Sequence, residues 1–299
     1  MGSAATFFST KRGRAVFLLA AALASAQAAS PAPVSPAREP HRNPAGTTLV
    51  FADEFDGSGL PDPAKWDFAT EGNATGWGNQ EKQHYTARRP ENARVENGRL
   101  IIEARAETLP DSAGKAYTSA RLVTRGRAAW TYGFYEIRAK VPCGRGTWPA
   151  IWMLPDDPAV KWPKGGEIDI MEHVGFDPGK VHHSIHTGAF NFANGTQKTG
   201  GYPVPTACNA FHRYQLLWTP DFIVMGVDDE ARFMFRKVMG GRDRWPFDKP
   251  MHLLLNIAVG GTWGGQQGID AAAFPAQMEI DHVRVYQRAP SALAKPQGK

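Results

Sequence analysis

From residue 48 onward the chain breaks into short runs of alternating apolar and polar residues, parted by Gly, Pro, Asn and Asp. Arg99 to Ala104, Gly133 to Lys140, Ala150 to Leu154, Glu167 to Glu172, Tyr214 to Trp218, Phe222 to Val227 and Met251 to Val259 are examples. Period-two alternation sends successive side chains to opposite faces of a strand, and no stretch of ten or more residues carries a convincing helical period. Strands at this density, with turn signals between them, build an antiparallel sandwich or barrel. No internal repeat is visible. The stretch 47–288, about 240 residues, is enough for one large all-β domain with a sizeable core.

The ends read differently. Lys11, Arg12 and Arg14 precede an apolar run from Ala15 to about Ala26, and Ala26-Gln27-Ala28 fits a small-residue cleavage site, so 1–28 is expected to be a signal peptide. The apolar run is too short to span a bilayer, and no other stretch approaches the ~18 apolar residues that a membrane helix needs. Residues 29–46, rich in Pro, Ala and Ser, read as a flexible leader, and 289–299 as a disordered tail. The expected location is outside the cytoplasm, secreted or periplasmic. Three of the cations behind the formal charge of +5 belong to the signal. The mature chain is therefore near neutral, which argues against nucleic acid or an anionic membrane as partner and suits a neutral polymer. Cys143 and Cys208 either pair, closing a loop of roughly 65 residues for about 3–4 kcal/mol in the chain-entropy model, or remain two thiols.

The chemistry concentrates in Gly165-Gly166-Glu167-Ile168-Asp169-Ile170-Met171-Glu172. On a strand Glu167 and Asp169 share one face, and Ile168 and Ile170 the other. Glu172 is out of phase by one unless Met171 is the extra residue of a β-bulge, a device that re-aims side chains beside active sites. Three carboxyls would then stand in a row over an oily face. Like charges this close cannot all ionise, so at least one pKa rises. A raised acid beside a carboxylate is the pair that glycoside hydrolysis requires. A solvated acidic face or a calcium site fits the three acids taken alone.

The stretch from about Leu49 to Gln287 resembles glycoside hydrolase family 16, in its laminarinase-like (endo-β-1,3-glucanase) branch. The likeness rests on the bulged Glu-x-Asp-x-x-Glu row together with Gly76-Trp77-Gly78-Asn79-Gln80-Glu81, Ser119-Ala120-Arg121 and Gly146 to Trp152. Trp162-Pro163, Ser184-Ile185-His186, Trp245 to Asp248, Asn256 to Gly261 and Asp281 to Tyr286 follow in family order. The resemblance implies an all-β jelly-roll sandwich of two curved antiparallel sheets with a concave substrate cleft. It implies endo-acting, retaining hydrolysis of β-1,3-glucosidic bonds in laminarin-type glucans, with mixed-linkage glucan as a further substrate. By this likeness Glu167 is the nucleophile, Glu172 the acid and base, and Asp169 orients the nucleophile, with His186 in their hydrogen-bond network. A non-catalytic glucan-binding protein, a transglycosylase and a galactan- or agar-active relative share the fold and stay open as alternatives.

Asn79, Arg121, Trp148, Trp152, Trp162 and Trp263 are the expected substrate contacts. Trp148, Ala150 and Trp152 fall on one strand face, and Ile151 and Met153 on the other. Either the strand is buried on both sides, or, as the family likeness favours, one face is core and the indoles on the other make a sugar-binding floor. Trp263, in Gly260-Gly261-Thr262-Trp263-Gly264-Gly265, is expected over the cleft rim. Zinc on Val181-His182-His183-Ser184-Ile185-His186 is disfavoured: neighbouring His residues on a strand face opposite ways, and His182 and His186 stand about 13 Å apart. Zinc ligands must lie ~2.0–2.2 Å from one ion. No cofactor is required for the chemistry. The family likeness assigns Glu54, the Gly98 carbonyl and Asp281 to a structural calcium, a hard cation suited to oxygen ligands. A monomer acting on a β-glucan polysaccharide or oligosaccharide is expected.

Overall fold

The computed structural model describes residues 45–288. The signal segment, most of the leader and the tail lie outside the described residues. Two sheets face one another, one of seven strands and one of ten. Across the seven-stranded sheet the order is Lys198–Pro203, Lys180–His186, Glu167–Glu172, Thr147–Pro155, Met251–Val259, Arg121–Val123 and Asp67–Phe68. All six contacts between these neighbours are antiparallel. The other sheet is antiparallel except that Gln83–Tyr85 runs parallel to Tyr117–Ser119. Among the described residues helix is confined to the turn Gly261–Gly264 and three short 3-10 segments. The all-β sandwich expected from the alternating runs is the fold observed.

Alternation explains where the core lies. From the seven-stranded sheet Ile151, Met153, Ile168, Ile185, Leu253, Leu255 and Ile257 point inward, each fully buried. They meet Leu100, Ile102, Tyr135, Ile137, Leu216 and Val283 from the opposite sheet in one cluster. Burying a side chain of this size stabilises the fold by about 1.5–3 kcal/mol, so Ile151→Ala alone should cost roughly 2–5 kcal/mol with its cavity. Cys143 and Cys208 form a disulfide with their Cα atoms 5.6 Å apart, which decides the pairing that the sequence left open. The bridge fixes the segment leading into Thr147–Pro155.

Met251–Val259 is buried at all nine positions, because Leu253, Leu255 and Ile257 face the core while the other side lies beneath the cleft. Thr147–Pro155 and Glu167–Glu172 flank each other next to it. These strands and Lys180–His186 carry the polar side chains of the concave face.

Candidate active site

The bulge is present, and it opens on the acidic strand. Opposite Thr147–Pro155, Asp169 pairs with Trp152, Met171 with Ile151 and Glu172 with Ala150, so Ile170 and Met171 together oppose one residue. Opposite Lys180–His186, Asp169 pairs with Ser184 and Glu172 with His182. One extra residue therefore restores the phase: Ile168, Ile170 and Met171 are fully buried in the core, while Glu167, Asp169 and Glu172 all line the cleft. Gly166 admits the chain to this strand. Its φ is +84°, and a Cβ there would stand 2.6 Å from the ring of Phe247.

The cleft encloses about 470 Å³. Trp148 donates its indole N–H to one carboxylate oxygen of Glu172 at 3.0 Å. The Ser184 hydroxyl lies 3.5 Å from the other. His186 places Nε2 3.4 Å from Asp169 and 3.8 Å from Glu167. Asp169 stands beside Glu167 on the same strand face, close enough for its charge to act on that carboxyl. Burial pushes Glu167 well above the usual carboxylate range, and the Asp169 charge adds to it, against the opposing pull of His186. Burial and the Glu172 charge do the same to Asp169. Glu172 is also raised by burial, but less, because His186 and the Trp148 and Ser184 hydrogen bonds favour its charged form. The row is thus short of countercharge and retains protons where isolated carboxyls would have lost them.

Around the row stands an aromatic and amide lining. The Arg121 guanidinium lies 4.1 Å from the Trp77 ring centroid and 4.6 Å from that of Trp152, held between two indoles. Trp77 reaches this position from a left-handed backbone (φ +56°). It also needs Gly72, where a Cβ would stand 2.4 Å from its ring. Trp152 donates its N–H to Asn256 at 2.7 Å, and Asn256 donates to the buried Tyr85 hydroxyl at 3.0 Å. Asn79 donates to Glu81, whose other oxygen takes a bond from Gln83. Burial raises the Glu81 pKa against those bonds. Trp162 is 41% exposed, stacked obliquely on the 48% exposed Phe192 with centroids 5.0 Å apart. Beside the acids, then, stand flat apolar surfaces for sugar C–H faces and donors for hydroxyls.

Glu167, Asp169, Glu172, Asn79, Arg121, Trp148, Trp152 and Trp162 all line this one cleft, and His186 touches its acids. Trp263, half-buried, stands beside that lining, packed edge-on against Trp148 at 5.4 Å and His182 at 4.9 Å. The Gly261–Gly264 turn carries it there, where it buttresses Trp148. Two of the residues assigned to calcium, Glu54 and Asp281, are engaged by side-chain cations. Both Glu54 oxygens accept from Arg284, at 2.8 and 2.9 Å. Asp281 accepts from His282 at 3.1 Å and pairs with Arg138 at 3.2 Å. Two guanidiniums thus supply positive charge beside these carboxylates.

Sequence reasoning passed over Asn256, Glu81 and Phe192 as site residues. Asn256 did leave a signal: it is the one amide in an otherwise apolar run from Leu253 to Val259. Phe192 left none, because an exposed aromatic in a loop has no period to betray it.

A concave antiparallel sheet carrying a buried carboxyl row between indole walls defines the protein as a glycoside hydrolase of the β-sandwich type. Residues 80–284 match the family described as Glycosyl hydrolases family 16, and the chain belongs to that family. It is 58% identical over 247 residues to a β-glucanase of Rhodothermus marinus, covering 80% of this chain and 85% of that protein. The crystal structure of the laminarinase from Rhodothermus marinus superposes with a TM-score of 0.77 at 56% identity, covering 81% of this chain and 98% of that one. A structure of SCLam, a non-specific endo-β-1,3(4)-glucanase co-crystallised with a β-glucan oligosaccharide, gives 0.79 at 50% identity over 85% of this chain and 99% of that one.

Proposed function

We propose that the protein is an exported, monomeric, endo-acting β-glucanase that cleaves β-1,3-glucosidic bonds in laminarin-type glucans with retention of configuration. Mixed-linkage β-1,3-1,4-glucan is a second substrate, in keeping with the SCLam similarity. The observation that carries the reading is the bulge that sets Glu172 beside Glu167 and Asp169 in an indole-walled cleft. Among the described residues no helix is long and apolar enough to cross a membrane.

The residues divide the work as follows. Trp148 occupies one oxygen of Glu172, which leaves the other to carry a proton towards the glycosidic oxygen. As that oxygen accepts the proton and its bond to the anomeric carbon breaks, Glu167 forms a bond to the same carbon. Asp169, set between Glu167 and Glu172, orients the nucleophile and helps set its charge. Water then enters, Glu172 takes back a proton, and the hydroxyl oxygen displaces Glu167. Two carboxyls serving in turn as acid, nucleophile and base supply the whole reaction without a cofactor. Arg121, Asn79 and Asn256 present donors to sugar hydroxyls, and Trp152 and Trp162 present ring faces.

A panel of laminarin, curdlan, lichenan, agarose and β-1,3-galactan tests the assignment by release of reducing sugar. Laminarin should be cut fastest, with oligosaccharides of mixed length appearing early. No release from any β-glucan, with binding intact, would make the protein a glucan-binding relative instead.

A further inference from the structure

We propose that His183, on the core side of the sheet, is a positioning residue that pins the bulge and thereby sets Glu172 for proton transfer. The chain makes its presence there unusual. On Lys180–His186 the side chains of Val181, His183 and Ile185 alternate into the interior, and all three are fully buried. Their neighbours His182 and Ser184 stand opposite Glu172 and Asp169 on the cleft side. A histidine at an Ile or Val position needs a partner to offset its lost hydration. It has one: Nδ1 lies 2.7 Å from the carbonyl oxygen of Ile170.

Ile170 is a bulge residue, and His183 is the single residue of its strand between the partners of Asp169 and Glu172. A bulge interrupts the ladder and leaves backbone groups without their strand partners. A carbonyl can only accept, so Nδ1 must carry the proton and donate it, which fixes the tautomer. Nε2 has no hydrogen-bond partner, and the ring packs against Tyr202 at 5.5 Å. Burial lowers the pKa of His183 to about 4, with nearby His182 and Arg232 acting the same way. The imidazole therefore stays neutral, and the bond persists, across the range in which a carboxyl pair would work. On this account the donor holds Ile170 two residues before Glu172, and so holds the acid against Trp148.

The claim rests on the catalytic reading of Glu172, and the test separates the two. His183→Asn keeps an N–H near the Nδ1 position, whereas His183→Gln, of similar polarity, carries its N–H too far along the side chain. His183→Gln should lower kcat by about 10–100-fold, the scale of a sub-ångström to 1 Å misplacement, with KM changed less than about twofold. It should also shift the alkaline limb of the kcat/KM profile, which reports the acid that Glu167, Asp169, His186, Trp148 and Ser184 surround. His183→Asn should recover kcat to within about threefold of the parent. Equal kcat and equal pH profiles in folded Asn and Gln variants would overturn the proposal, leaving His183 a packing residue. Should the Gln variant not fold, nitrogen-15 NMR of the parent protein decides. A neutral Nδ1–H tautomer persisting at pH 5 supports the pin, and an Nε2–H tautomer contradicts it. Loss of turnover in Glu172→Ala with no effect of either His183 change would sink this inference alone, and full activity in Glu172→Ala would sink the catalytic reading.

Discussion

Two buried clusters of charge lie in this sandwich, one on each sheet, and they solve the burial of carboxyls in opposite ways. On the ten-stranded sheet Glu54, Glu136 and Asp281 are interleaved with Arg284, His282 and Arg138. There Glu136 and Asp281 sit below the usual carboxylate range despite burial, because His282 hydrogen-bonds both and cations surround them. His282 is raised in turn, since those two bonds outweigh its burial. In the cleft, three carboxyls face one another beside Arg121 and the His186 imidazole, and burial raises all three. The same residue types give a structural brace in one place and a proton store in the other. Countercharge decides which. Carboxyls that retain protons near neutrality suit acid catalysis, and paired ones do not.

The widest separation between the clusters should appear in turnover. Glu167→Ala and Glu172→Ala should each lower the rate on laminarin by about 10⁴-fold, at the upper end for removing an acid–base group, with oligosaccharide binding retained. Glu136→Gln should leave turnover within about twofold, since it lies outside the cleft. Stability should respond the other way. Arg284→Met removes both guanidinium bonds to Glu54 from a side chain only 1% exposed. It should cost about 3 kcal/mol in urea unfolding, in line with breaking a buried pair.

Glu167→Gln sharpens the contrast with a gain. A carboxyl whose folded pKa lies above its unfolded value of about 4.3 helps the fold below that pH and loses the contribution as pH rises through the folded pKa. At pH 7 the amide, which cannot ionise, should therefore be more stable than the parent by about 1–2 kcal/mol, and the gain should vanish near pH 4. A thermal scan at the two pH values reads it. A further pH effect is expected at His252, 2% exposed, whose pKa burial lowers to about 4. A histidine kept neutral in the fold withdraws stability as pH falls from its unfolded value of about 6.5 towards 4. His252→Gln should therefore flatten the acid fall-off.

How much of this was legible in the chain follows from the range of the interactions. Period-two alternation is local, so the sandwich, the acidic face and the Trp148–Trp152 floor could be read from neighbouring residues. The bulge could be inferred from the phase of Glu172, though not that Ile170 and Met171 share the place opposite Ile151. The stacking of Arg121 joins residues 77, 121 and 152, and no local pattern encodes a meeting of three distant segments. The pairing of Glu54 and Asp281 with Arg284 and Arg138 was hidden for a related reason: these cations reach them across strand pairings that the sequence does not display. The direction of Trp263 was not legible, because a glycine-rich turn leaves it undetermined until Trp148 and His182 supply a surface.

The most direct measurement is the anomeric configuration of the first product, followed by proton NMR during early cleavage of a β-1,3-glucan. With Glu167 as nucleophile and Glu172 as acid and base, the β-anomer should appear first and mutarotate slowly. Appearance of the α-anomer first would mean that water attacks directly and that the carboxyl row does not hold a nucleophile.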